Sequence, residues 1–289
     1  MISRSNQNRL LSLQKDYIRL KYGKESLLTI IDEAEIPESV YNSNAIENST
    51  LTLPETEKIL LEMEVGRNVS LREVFEAKNL ARVMEYLRNK EKGIVLNTDL
   101  ILTLHQMFIG NINDAIAGKF RQKNEYVRVG NYIATPPEHL ESRIQSILDE
   151  YLSDNVSYFL DKIAKFHLEF ELIHPFVDGN GRIGRTILNF QLAQYNLPPV
   201  TIRGKEKSAY HLAFVTYQNN KNTIKMEKII FSSVLESLHK RLAYFQSKNI
   251  ISIVEYAKTM NKSTSSILNQ AARQTIPGFR ERGVWKIGI

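Results

Sequence analysis

The sequence predicts an all-α protein: a helical bundle interrupted by one small β-hairpin and followed by a small C-terminal module of different pattern. Three observations predict it. Apolar residues recur at helical spacing along most of the 289 residues. One segment, 120–133, instead holds short β-prone runs around Gly130-Asn131. A new pattern then begins at Ile250.

The elements follow in order. Leu10, Leu11, Leu13, Tyr17, Ile18 and Leu20 give an opening amphipathic helix. Thr52-Leu53-Pro54-Glu55 is a helix start: Thr52 caps, Pro54 suits the first turn and Glu55 stands at capping-box distance. Leu60, Leu61 and Met63 continue that helix, and residues 69–86, 98–108 and 138–152 read as further helices. Tyr126 to Tyr132 form the hairpin, which Pro136-Pro137 stops. Residues 155–173 are helical, with Phe159, Leu160, Ile163, Ala164, Leu168 and Leu172 on the apolar side. That helix ends at His174, because Pro175 disfavours helical geometry in the residue before it. Residues 183–195 form the next helix, with Ile183, Ile187 and Phe190 free to face a core.

Composition narrows the function. A hydrophobic content of 43% supports a large core, and a charged content of 24% is that of an ordinary soluble protein. The chain has no cysteine, which excludes disulfides, thiolate metal sites and a cysteine nucleophile. The net charge of +6 favours anionic partners: nucleotides, nucleic acid or acidic protein surfaces. Residues 1–9 precede no apolar signal region, and no run is long enough to cross a bilayer, so the expectation is a cytoplasmic protein without membrane contact.

The chemistry lies between His174 and Arg185. Asp178-Gly179-Asn180-Gly181 lets the backbone turn tightly and expose its N–H groups, and the next helix points its N-terminus at the same place. Arg182 and Arg185, three apart, share a helix face. Two cations at a helix N-terminus oppose the dipole unless an anion joins them, and two guanidinium forks beside a glycine nest suit a polyphosphate. Asp178 offers a hard oxygen for Mg²⁺, and His174 accepts a proton near neutral pH.

His174-Pro175-Phe176-Val177-Asp178-Gly179-Asn180-Gly181-Arg182-Ile183-Gly184-Arg185 resembles the full signature of Fic-domain proteins, and the resemblance covers roughly residues 35–220. It implies the Fic helical bundle and transfer of AMP from ATP to a Ser, Thr or Tyr hydroxyl of a target protein. On that resemblance His174 is the general base, and Asp178 holds Mg²⁺, or Mn²⁺ in its place. Gly179, Asn180 and Gly181 form the anion hole. Arg182 contacts phosphate, Arg185 holds the γ-phosphate, Ile183 and Gly184 complete the nucleotide-binding turn, and Phe176 anchors the core. The hairpin resembles the family's flap, with Val127, Arg128, Val129 and Gly130 nearest the nucleotide and the target segment added as a strand along 126–132. Ser208 to Phe214 resembles the helix closing the nucleoside pocket, which places Tyr210 and Gln218 by the base or ribose.

Ser43-Asn44-Ala45-Ile46-Glu47-Asn48 resembles the family's inhibitory motif, Ser/Thr-x-x-x-Glu-Gly/Asn, fused ahead of the catalytic core. Ser43 and Glu47 share a helix face, and Glu47 paired with Arg185 takes the fork meant for the γ-phosphate. The organisation expected is an N-terminal helical region over 1–95, the Fic core over 96–245 and the module over 250–289.

That module resembles excisionase-like helix-turn-helix domains. Residues 253–258 and 267–273 form the helices, and 276–287 the strand–turn–strand wing. Thr264, Ser265, Asn269, Gln270 and Arg273 are placed toward a DNA major groove, and Arg280 and Arg282 toward its backbone. A protein-docking or dimerising appendage stays open for the same residues, as does a homo-oligomer. Other readings of the core also stay open: transfer of UMP, phosphocholine or phosphate, removal of AMP with Glu47 positioning water, and a nucleotide-responsive DNA-binding regulator.

Overall fold

In the computed structural model the described residues are 2–66, 68–90 and 93–289, with the backbone alone at 89 and 90. Helix α1 (Arg4–Lys21) is capped by Ser3 and buries Leu10 and Tyr17. Helix α2 (Glu25–Ile46) was not foreseen as a unit. Its apolar residues form no single stripe, and it carries Pro37 mid-helix, where the ring removes one backbone bond. Tertiary packing overrides this, because Ile31, Val40 and Ile46 enter the core while Glu38, Asn42 and Ser43 are buried with polar partners.

Thr52 and Glu55 form the expected capping box at the start of α3 (Leu53–Glu57). The chain then widens into a π turn, Lys58–Glu62, and stops at Met63 in left-handed geometry, so Met63 ends the helix it was expected to continue. Helices α4 (Leu71–Lys90) and α5 (Thr98–Ile109, capped by Asn97) pack together. The hairpin, β1 (Arg128–Val129) and β2 (Tyr132–Ile133), turns at Gly130-Asn131 and pairs Val129 with Tyr132. Helix α6 (Leu140–Ser153) follows a short 3₁₀ turn.

Helix α7 (Phe159–Ile173) starts four residues later than expected, because the Asp154 carboxylate takes the N–H groups of Val156 and Ser157 and holds them in a turn. Helix α8 (Asn180–Gln194) starts three residues earlier than expected, which places Arg182 inside its first turn. Helices α9 (Lys207–Asn220) and α10 (Ile224–Phe245) complete the bundle.

Two apolar cores fill it, and α7 is the wall between them. Phe166, Phe170 and Ile173 join Phe108, Phe176, Ile183, Ile187 and Phe190 on one side. Leu160, Ile163, Ala164 and Leu168 join Leu10, Tyr210, Val234 and Leu238 on the other. Residues before position 95 contribute to both cores. At roughly 25 cal/mol per Å² of apolar area removed from water, packing both faces of α7 fixes the helix that carries His174.

After α10 comes a three-stranded antiparallel sheet in the order β3 (Ile250–Ser252), β5 (Val284–Gly288), β4 (Gly278–Glu281). Helices α11 (Ile253–Thr259) and α12 (Thr264–Ala272) pack on it through Ile253, Ala257, Ile267, Ala271 and Ile287. The turn at Arg282-Gly283 has positive φ at both residues, and both of its N–H groups donate to the Glu38 carboxylate on α2 at 3.0 and 2.9 Å. No helix among the described residues is long and apolar enough to cross a membrane.

Candidate active site

The loop between α7 and α8 is braced from every side. His174 ends α7 in left-handed geometry (φ 51°), and Pro175 disfavours a further helical residue there. The last carbonyls of α7 are taken by Arg121, 2% exposed, whose Nε donates to His174 C=O at 2.8 Å while Nη2 reaches Ile173 and Thr135. Asn180 clasps Phe176 with both ends of its amide, at 2.9 and 2.8 Å. Gly179 has φ 85°, and a Cβ there would stand 3.0 Å from Phe108, so both conformation and space require glycine.

Phe176 is fully buried and stacks on His105 with centroids 3.7 Å apart. Gly118 N–H donates to His105 Nδ1 at 3.0 Å, so His105 carries its proton on Nε2 and donates it to Asp178 C=O at 3.1 Å. Burial pushes the His105 pKa down to about 4, which keeps the ring neutral in this role.

At the start of α8 the first helical bond runs from Ile183 to the Gly179 carbonyl, so the N–H groups of residues 180–182 have no partner within the helix. Asp178, Arg182 and Arg185 converge there. Arg182 packs over the Phe108 ring and pairs with Glu76 and Asp178, each at 2.9 Å. Asp178 also accepts from Gly179 N–H at 2.6 Å and from Arg72. Arg185, 5% exposed, donates to Ser43 Oγ (3.0 Å), to Ser43 C=O (2.9 Å) and to Glu47 Oε1 (2.9 Å). The Glu47 carboxylate lies directly over Gly181, where any Cβ would collide with it.

The end of α2 explains why Asn48 follows Glu47. Asn48 has φ 67°, its N–H donates to Ala45 C=O and Ser49 N–H donates to Asn44 C=O. This is a Schellman cap, whose left-handed residue is best as Gly or Asn. Lys207 holds the Asn48 side chain at 2.7 Å. Beyond it, the Glu73 carboxylate collects Ser49, Thr50 and Ser70, which holds its pKa down to about 2. Glu47 thus stands at the negative end of one helix and faces the positive end of another, and the Arg185 guanidinium holds its carboxyl below the usual range despite burial.

His174 Nδ1 lies 3.3 Å from Glu171 C=O, which fixes the proton on Nδ1 and leaves Nε2 with a free lone pair. Burial lowers its pKa further, so the ring is a neutral base. The same carbonyl accepts from the Tyr132 hydroxyl at 3.2 Å, which ties the hairpin to α7. Val127 C=O receives Ala134 N–H at 2.9 Å, and Val127 and Val129 are half-buried. Arg128 and Gly130 are exposed and joined by a bond of 3.0 Å. Among the described residues β1 pairs with β2 alone, which leaves its outer edge open.

Tyr210 lies next to Arg185, buried, with its hydroxyl 2.7 Å from His167 Nε2. Gln218 is exposed two turns further along α9 and is not brought to the loop. On the C-terminal module Ser265, Asn269 and Arg273 are exposed, Thr264 and Gln270 half-buried. Arg280 departs from expectation. It is locked into Glu236 and Glu206 and stacked on Trp285, because the buried Glu236 carboxylate of the bundle requires a cation there. Arg282 pairs with Glu57.

Sequence reasoning missed Glu76, Arg72, His105, Arg121 and Glu171. Each lies outside the motif and reaches the loop only through the fold. The spacing of Arg72 and Glu76, four apart on one helix, was the one local signal. Among the described residues no three acidic or histidine side chains gather to hold a cation by themselves. One carboxylate at a phosphate site does fit Mg²⁺, whose other ligands are phosphate and water oxygens.

Comparison with known proteins agrees with this geometry. Residues 95–192 match the Fic/DOC family. Protein adenylyltransferase fic-1 of Caenorhabditis elegans is 28% identical over 245 residues, which is 82% of this chain and 44% of that protein. Protein adenylyltransferase Fic of Nematostella vectensis is 30% identical over 176 residues, 60% of this chain and 41% of that one. The chain therefore spans less than half the length of these curated relatives. The crystal structure of a Fic domain containing signalling protein from Bacteroides thetaiotaomicron superposes with a TM-score of 0.73 at 24% identity, over 84% of this chain and 98% of that one, and so shares its fold. The braced loop and the helix start with its two arginines lie within residues 95–192, the segment that matches the Fic/DOC family.

Proposed function

We propose that this chain is a protein adenylyltransferase that moves AMP from ATP to a hydroxyl of a target protein, and that Glu47 inhibits it by occupying Arg185. The observation that carries this reading is the Glu47 carboxylate set over Gly181 and bonded to Arg185 at 2.9 Å, where an anionic ligand of the α8 N-terminus would sit. An acidic side chain in an otherwise complete anion site reads as a stand-in for phosphate.

With Glu47 displaced, Arg185 receives the terminal phosphate, and the N–H groups of 180–182 face the phosphates nearer the ribose. Asp178 would hold Mg²⁺ against those phosphates, and Arg72 and Arg182 share its carboxylate. When bound, the ion neutralises charge that develops on the departing pyrophosphate. His174 Nε2 takes the proton of the target hydroxyl, whose oxygen forms a bond to the α-phosphorus. The bond to the bridging oxygen breaks, and its electron pair leaves with pyrophosphate. A neutral imidazole fixed by Glu171 C=O suits that step. The open edge of β1 presents the target segment by strand addition, and Tyr132 sets its height above His174.

The test is intact-protein mass spectrometry after incubation with ATP and Mg²⁺. Glu47→Gly gains AMP on a hydroxyl residue, the Glu47→Gly/His174→Ala double variant gains none, and wild type gains little. No added mass on Glu47→Gly, alone and with candidate targets, while UTP, GTP or CDP-choline labels it, would overturn the choice of AMP.

A further inference from the structure

Glu171 is the acidic group the proposed mechanism leaves unused. It sits on α7, three residues before His174, and its side chain lies between α7 and α8 against Gly184, where any Cβ would strike its carboxyl. Oε1 is buried and has no hydrogen-bond partner. Arg185 Nη1, one residue further along α8, is also buried without a partner. Glu47 faces the same guanidinium from α2. Two carboxyl groups thus act on one cation, and only Glu47 bonds to it. Burial outweighs Arg185 and, with the Glu47 charge adding to it, pushes the Glu171 pKa up to about 8, so Glu171 is a neutral acid with a proton to donate.

We propose that Glu171 contacts the nucleotide's polyphosphate beside Arg185 once Glu47 has left, donating its O–H to a phosphate oxygen that Arg185 Nη1 also reaches. The inference rests on the adenylyltransferase reading for the identity of the ligand. Its physical basis is a pair of unsatisfied buried atoms along the start of α8: Arg185 Nη1, beside Gly181 where Glu47 lies, and Glu171 Oε1, beside Gly184. A buried polar atom left without a partner is costly, and a ligand that satisfies two of them at once removes both penalties. Neutrality matters because an ionised carboxylate there would repel phosphate and compete for Arg185. Loss of Glu47 removes one repulsive neighbour of Glu171, and an arriving polyphosphate restores a larger one. Binding therefore holds the proton on, and affinity falls as pH rises.

The groups facing Arg185 and Glu171 leave a clear window for this. On α7, His167 is pushed down to about 3 by burial, and His174 is lowered for the same reason. On α9, burial lowers His211 and raises Tyr210 far above neutrality, and Lys207 stands beside His211. On the hairpin, burial likewise raises Tyr132. Arg121 faces His174 and Arg182 faces Glu47.

The experiment measures ATP binding by calorimetry between roughly pH 7.5 and 9.5 on Glu47→Gly/His174→Ala, which binds without turning over. Above the titration of Glu171 in the free protein, Kd is expected to rise by up to about tenfold per pH unit, with up to about one proton taken up per ATP in buffers of different ionisation enthalpy. Adding Glu171→Gln, an amide donor at every pH, flattens the profile and abolishes the uptake. Adding Glu171→Leu gives weak binding that is also flat. No proton uptake by Glu47→Gly/His174→Ala overturns the proposal without any change at position 171, so misfolding of the 171 variants cannot shelter it. An unchanged profile in a folded Glu171→Gln variant overturns it too. Because binding is read without transfer, absence of AMP labelling in the mass-spectrometric test would reject the activity and leave this linkage to stand or fall by itself.

Discussion

Replacing Glu47 by glycine tests the competition between the carboxylate and the nucleotide through stability, with no need for turnover. The residue removed makes one charge-assisted bond to Arg185 at 2.9 Å, a class that contributes about 1.5–3 kcal/mol. The Glu47 side chain keeps 35% of its exposure, so solvent screening puts the pair at the low end, about 1.5 kcal/mol. Position 47 is the C-cap, outside the helix proper, so glycine adds little propensity cost. Arg185 keeps both bonds to Ser43, and its charge stays anchored. In the absence of nucleotide, Glu47→Gly should therefore melt roughly 3–6 °C below wild type. With ATP the order reverses in the size of the shift. Wild type must break the pair to seat the terminal phosphate, a cost of about one factor of ten in affinity, and the variant need not. At equal ATP the variant gains about 1.4 kcal/mol more stabilisation, and its melting temperature rises by several degrees more. Glu47→Gln, which keeps shape and one neutral bond, falls between. The Glu47 carboxyl is held below its ordinary 4.5, so its share of stability is present above that pH and fades as pH falls through the folded value. Equal ATP-induced shifts in the three proteins would refute the idea that carboxylate and phosphate contend for Arg185.

Other regions answer to separate measurements. Asn48→Ala keeps left-handed geometry at the cap of α2 without the polar side chain that makes it tolerable, costs about 1 kcal/mol and should raise AMP labelling a few-fold, whereas Asn48→Gly leaves it unchanged. Gly179→Ala meets both a φ of 85° and Phe108 at 3.0 Å, so urea titration should show a loss of about 2 kcal/mol together with lost ATP binding. Arg241, fully buried, bridges Asp32 and Glu35, and Arg241→Met leaves Asp32 without this partner and Glu35 with Lys240 alone, at a cost of about 3–5 kcal/mol and a melting temperature lower by roughly 10 °C. His239 bonds Gln274 across the junction with the C-terminal module, and burial holds its pKa down to about 4 against an ordinary 6.5. Only the unfolded chain protonates it in that interval, so wild type loses stability relative to His239→Gln as pH falls from about 6.5 to 4, by about 3 kcal/mol in all.

The bundle was legible in the sequence wherever burial is one-sided, because a helix with one apolar stripe prints its period of 3.6 on the residues. Helices α1, α5 and α6 announced themselves in this way, and Thr52 and Glu55 formed the capping box their spacing predicts. Helix α2 did not, although its C-cap is Glu47. It is wedged between bundle, loop and C-terminal wing, so its buried face includes Glu38, Asn42, Ser43 and Asn44, and polar burial leaves no hydrophobic period. The start of α8 was placed late for a related reason. Asn180 and Gly181 are poor helix formers, and the helix begins there because the Asn180 side chain is consumed by Phe176 while Gly179 supplies the positive φ of the cap. Within the site, His174, Asp178 and Arg185 were readable from local spacing. Their partners were not, because Glu76, His105, Arg121 and Glu171 come from three helices and a loop that meet only after folding.

On the proposed reading, the electrostatics that would make this loop a phosphate site would also make it easy to inhibit. Arg182 and Arg185 lie in the first two turns of α8, where the helix dipole disfavours cations, so the fold is stable without nucleotide only if anions are supplied from within. Glu76 and Asp178 satisfy Arg182, and both are rooted in elements that the rest of the bundle holds rigid. The charge of Arg185 is balanced by Glu47, which caps the end of a helix and can leave by loosening that cap. Glu171 lies nearby without bonding to Arg185 and stays neutral, because a second anion beside Glu47 would cost more than burial of an uncharged acid. On the proposed reading the two arginines therefore divide the work. The one whose counter-ion is fixed shapes the loop, and the one whose counter-ion is detachable governs whether nucleotide is productively seated. A substitution at Glu76 should accordingly damage folding and binding together, while one at Glu47 should separate them.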